Sequence, residues 1–61
     1  MSFIHIKDIG QIEVSESYEY VSSLIRNGIN FIEVNKRHSY DNDEIILINV
    51  SHIIKVSWYT T

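Results

Sequence analysis

The chain has 61 residues, eight acidic and five basic side chains for a formal charge of -3, and neither Cys nor Pro. That length holds one domain, residues 1–61. A folded chain so small hides only about 60% of the surface its unfolded form exposes. With no Cys for a disulfide and only three His toward a zinc site, self-association into a dimer or larger homo-oligomer is the remaining way to enlarge the core. The weak acidity argues against non-specific nucleic-acid binding. With no signal-peptide core after Phe3 and Ile4, and no run near the roughly 20 apolar residues of a membrane span, the expectation is a cytoplasmic protein without membrane contact.

Ile4 and Ile6 share one side of an extended segment, with His5 and Lys7 on the other. Gly10 can take the positive φ of a tight turn, and Ile12 and Val14 then resume the inward alternation, so residues 3–14 read as a hairpin. Ser15 is the expected helix cap, with Glu16 and Glu19 at the positive end of the helix dipole. Tyr18, Val21, Leu24 and Ile25 form an apolar stripe at three- and four-residue spacing, and Asn27 and Gly28 end the helix. Phe31 to Asn35 reads as a strand, with Ile32 and Val34 on one face and Phe31 and Glu33 on the other.

A polar loop runs from Lys36 to Asp43, with Asp41, Asn42 and Asp43 suited to a turn. Ile45, Ile46, Leu47 and Ile48 follow without a break, the pattern of a strand buried on both faces. With only one helix in the chain, the second face would take its cover from another subunit. Residues 49–52 form a tight corner, and Ile54, Val56 and Trp58 share one side of a last strand. The fold expected is α+β: a small antiparallel sheet in ββαβββ order, consecutive strands joined by short connections, one helix packed on one face. An unpaired edge in such a sheet, guarded mainly by charge, invites pairing with another copy.

Chemistry-bearing motifs are sparse. His5, His38 and His52 lack metal-ligand spacing. Counting a calcium loop from Asp41 puts Ile46 at its sixth position and His52 at its twelfth, where the motif needs Gly and Glu. The two Gly residues are too far apart for a phosphate loop, and no Ser has a recognisable activating His and acid. The reading is a non-enzymatic protein without metal or cofactor.

Two patches remain as candidates. Lys36, Arg37, His38 and Tyr40 crowd one loop, where cations and an aromatic ring could meet a nucleotide. Tyr18, Tyr20, Trp58 and Tyr59, with Ile46 and Ile48, supply the aromatic and apolar surface that interfaces favour. Glu13, Glu16 and Glu19 offer a third possibility, an acidic ridge imitating DNA phosphates.

The segment IEVSESYEYVSSLI (Ile12–Ile25) reads as a strand running into a capped amphipathic helix, and the segment Phe31–Val56, ending in ILINVSHIIKV, as a strand, a corner and a second strand. Together they resemble the FlbD family of small flagellar proteins and related proteins of phages and mobile elements, with the order of strand pair and helix reversed. In size and strand–helix–strand–strand order the chain is also similar to phage inhibitors of uracil-DNA glycosylase, which work as DNA-imitating dimers. The apolar content of so short a chain and its missing motifs lead to the expectation of a small, self-associating binding or regulatory protein, phage-encoded, that sequesters a host protein or small ligand. A nucleotide sponge or sensor and an acidic DNA mimic stand as alternatives. No functional residue carries over.

Overall fold

The structure, a computed structural model, describes residues 2–38 and 43–58. It is an α+β arrangement of five antiparallel strands and one helix: β1 (Ser2–Ile6), β2 (Gly10–Val14), α1 (Tyr18–Arg26), β3 (Phe31–Lys36), β4 (Glu44–Asn49) and β5 (Ile53–Ser57). A single 3-10 turn, Val50–His52, separates the last two strands.

The local expectations translate into specific backbone devices. The β1–β2 hairpin turns through Asp8 at φ 67° and Gly10 at φ 100°, a left-handed region that Gly enters freely and Asp tolerates. At the far end of α1, Gly28 takes φ 77°. Its N–H donates to the Ile25 carbonyl and that of Ile29 to the Leu24 carbonyl, the paired bonds of a Schellman stop. The helix begins two residues later than the sequence pattern indicates. Ser17, not Ser15, is the cap, its hydroxyl accepting from the Tyr20 N–H at 3.1 Å. Ser15 continues the β2 ladder instead, its N–H donating to the Asn35 carbonyl at 3.0 Å, so its backbone is committed to the sheet.

The strand order is β4-β3-β2-β1-β5, which corrects the expectation that the corner joins neighbouring strands. β4 and β5 are the two opposite edges. In a flat sheet four strand spacings would separate them, about 19 Å. The four steps from Asn49 to Ile53 reach at most about 14 Å fully extended, and the three residues between, Val50–His52, form a 3-10 turn that rises only about 2 Å per residue. The sheet must therefore curl until its edges approach at the turn. Two backbone bonds hold that closure: Val50 N–H to Asn30 carbonyl at 2.9 Å, and Lys7 N–H to His52 carbonyl at 2.8 Å.

Inside the curl lie Ile4, Ile6, Ile12, Val14, Ile32, Val34 and Ile48, with Val21 of α1 closing the core and Leu24 and Ile25 packed beside it. Ile4 lies opposite Ile12 and Ile32 opposite Ile48, so the inward rows meet across the strands. The β2–β3 seam is short, with Val14 opposite Lys36 as its one ladder pair. Glu16 reinforces it. Its carboxylate accepts from the Asn35 N–H at 2.9 Å and from Asn35 Nδ2 at 2.8 Å, and the Ser2 hydroxyl donates to the Glu16 carbonyl at 3.1 Å.

One face of β4 stays uncovered within the chain, as a sheet with one helix implies, and one expectation for β5 is corrected. β4 is not buried on both faces within one chain: Ile48 is 5% exposed, whereas Ile45 and Leu47 are each 68% exposed. A single curled layer with one helix covers only the concave side. On β5, Ile54 does not share a side with Val56. Ile4 lies opposite Val56 and His5 opposite Lys55, but Ile6 lies opposite Ile53, which leaves Ile54 as the extra residue of a bulge. The bulge resets the alternation, turning Ile53 and Val56 toward the core and leaving Ile54 64% exposed.

Candidate interaction surface on the outer face of β3 and β4

The outer face of the β3–β4 pair follows directly from the register. Phe31 lies opposite Asn49, Glu33 opposite Leu47 and Asn35 opposite Ile45. Ile45 and Leu47 are two apart on one strand and so share a face, and Phe31 is diagonal to Leu47, within reach of a large ring. Phe31, Ile45 and Leu47 are all exposed. Ile9, exposed at the tip of the β1–β2 turn, extends this apolar surface across an open groove of about 310 Å³, whose lining also includes Phe31, Leu47, Asn49 and His52. The free side of β4 adds a row of backbone donors and acceptors, since among the described residues β3 is its single partner strand in the sheet.

The cationic loop residues sit elsewhere and already face acids. Arg37 approaches Glu13 at 3.8 Å, and His38 Nε2 lies 3.0 Å from Glu44 Oε1. Lys36 ends β3, opposite both Val14 and Glu44. Tyr40 lies outside the described residues. The structure brings Glu13 and Glu44 to this cluster, whose Arg37 and His38 side chains stay about half exposed.

The three glutamates have different surroundings. Glu13 points outward from β2 beside Arg37, Glu16 is engaged by Asn35, and Glu19 stands in the first turn of α1. Among the described residues no three His, Asp or Glu side chains converge as a metal site would require.

Of the candidate interface residues, Ile48 belongs to the chain's own core and Ile46 is half-buried against it. Trp58 is neither core nor isolated: 49% exposed, its ring centroid lies 4.3 Å from that of Tyr18 at the start of α1. Tyr20 is exposed on the helix, and Tyr59 lies outside the described residues. The apolar surface thus adds the opposite parity of β4, Ile45 and Leu47, together with Phe31 and Ile9, while Ile46 and Ile48 also line the groove. The placement of Phe31 opposite to Ile32 and Val34 was the available signal for it; the outward side of the unbroken Ile45–Ile48 run had none.

Fold and surface together define a small α+β protein with a curled five-stranded sheet and an exposed apolar edge. Comparisons with family models, with curated proteins and with solved structures found no match to the chain. Among the described residues no helix is long and apolar enough to cross a membrane.

Proposed function

We propose that this chain is a non-enzymatic, self-associating binding protein that acts in the cytoplasm by occupying a partner, in the manner of small phage-encoded regulators. The observation that carries the reading is the outward row Phe31, Leu47 and Ile45 beside the open edge of β4. Apolar side chains concentrated on an unpaired edge are a surface for association, and a chain of this size gains core by it. Self-association leaves the helix face, with Tyr18, Tyr20 and Trp58, for a host protein or small ligand.

The nucleotide reading is weaker, because Arg37 and His38 already face Glu13 and Glu44, which would compete with a phosphate. The DNA-mimic reading is weaker at Glu16, whose carboxylate is already engaged by Asn35.

Light scattering across protein concentration tests the proposal. The parent chain should show a native mass above that of one 7.2 kDa chain, and Leu47→Lys should return it to monomer with the same circular dichroism. A parent chain that stays monomeric at every concentration would overturn self-association.

A further inference from the structure

We infer that the partner on β4 is a second copy of this chain, paired antiparallel through β4 about a two-fold axis at Leu47, so that two curled sheets join into one of ten strands. The inference rests on the self-association reading above and adds its geometry.

The chemistry of the strand that β4 already accepts supports it. Read along β4 from Ile45 to Asn49, the residues of β3 opposite it are Asn35, Val34, Glu33, Ile32 and Phe31. A second β4 laid antiparallel with Leu47 opposite Leu47 presents Asn49, Ile48, Leu47, Ile46 and Ile45 to the same five positions. The two series match at four of the five places, with Asn first, a β-branched residue second, Ile fourth and a large apolar residue at the end. The one change of character is central, where Leu47 of the copy takes the place that Glu33 holds on the β3 side. A second β4 is thus a near-replica of the strand this one is built to pair with, and it meets the exposed Leu47 with a leucine.

Register parity and charge select the same arrangement. Side chains directly opposite across an antiparallel pair point to one side, so a two-fold pairing must centre on a residue. Centring on Ile46 would set Glu44 against Ile48, whereas centring on Leu47 carries Glu44 past the strand, beside Val50, and leaves residues 45–49 of both copies uncharged. The other edge offers a poorer match. β5 is interrupted by its bulge at Ile54 and carries Lys55, two features that oppose edge pairing.

Single cysteines give a direct test, because the chain has none of its own. Opposite residues on paired strands hold their Cβ atoms about 4.5–5.5 Å apart, close to the spacing a disulfide closes. Under mild oxidation Leu47→Cys should convert most of the protein to a covalent dimer. Ile45→Cys alone should not link, since the two copies of residue 45 lie four positions apart along the ladder, about 13 Å. The double variant Ile45→Cys, Asn49→Cys should link again, and it keeps the test open if replacing Leu47 itself weakens association. Linking at residue 45 alone would overturn the register. A larger assembly with no link at 47 or between 45 and 49 would place β4 on β5 of the next copy and overturn the two-fold pairing. If light scattering of the parent shows only monomer, self-association itself fails; an oligomer without these links refutes the geometry alone.

Discussion

The two edges of the sheet carry the same kind of strand and are finished in opposite ways. β5 has an extra residue at Ile54 that breaks the ladder, Lys55 on its outer side, and Trp58 just beyond it against Tyr18 of the helix. β4 is six residues long, pairs with β3 without a bulge, and turns Ile45 and Leu47 outward. Bulges and lysines are the ordinary devices by which edges are kept from pairing. Their presence on one edge and absence from the other makes β4 the open side of the molecule. The 3-10 turn brings these strands together at one end, so the contrast comes from side chains and one inserted residue, not from position in the chain.

The largest effect should come from testing the two parities of β4. Ile48→Ala removes a buried side chain and should cost about 2–5 kcal/mol, a thermal shift of well over ~8 °C for a domain of this size. Leu47→Lys on the other face should change the native mass while leaving monomer stability within about 0.5 kcal/mol. Equal melting losses for the two would break the distinction between core and outer face. Next in size is the clasp that holds the β3–β4 pair to the rest of the sheet. Glu16→Ala leaves the Asn35 N–H without its carboxylate and should cost about 1.5–3 kcal/mol in chemical denaturation, with association weakened in parallel because β4 is carried by β3.

Ser17→Ala should cost about 1 kcal/mol through loss of the helix cap, whereas Ser15→Ala should cost less, which calorimetry on the pair would show. The smallest effect sharpens the edge comparison itself. Ile54→Lys on the bulged edge should leave both native mass and melting temperature nearly unchanged, within about 0.5 kcal/mol. If it dissolved an oligomer that Leu47→Lys left intact, β5 would be the edge that associates.

Much of the fold was legible from residue patterns, and the candidate surface less so. Val21, Leu24 and Ile25 face the core as their spacing requires, and Gly28 ends the helix. Ile4, Ile6, Ile12, Val14, Ile32 and Val34 all fall on the inward parity. Each of these depends on neighbours within a turn of helix or a few residues of strand. The run Ile45–Ile48 has no alternation to read, so its outward side could not be told from its inward side until β3 fixed the register. In the Lys36–His38 cluster, sequence shows the cations together and not the glutamates that other strands bring to them.

By itself the sequence determined the kinds of element and their order, the helix stripe, the turn glycines and the inward face of the first three strands. These are properties of local periodicity and backbone preference. Tertiary structure alone decided that β4 and β5 become opposite edges, that the sheet curls to let a three-residue turn join them, and that Ile54 bulges. It also turned Glu16 from a surface acid into the bridge to Asn35. Such features depend on which distant segments pair, and pairing is settled by the joint burial of side chains from several strands, which no single stretch of the chain encodes.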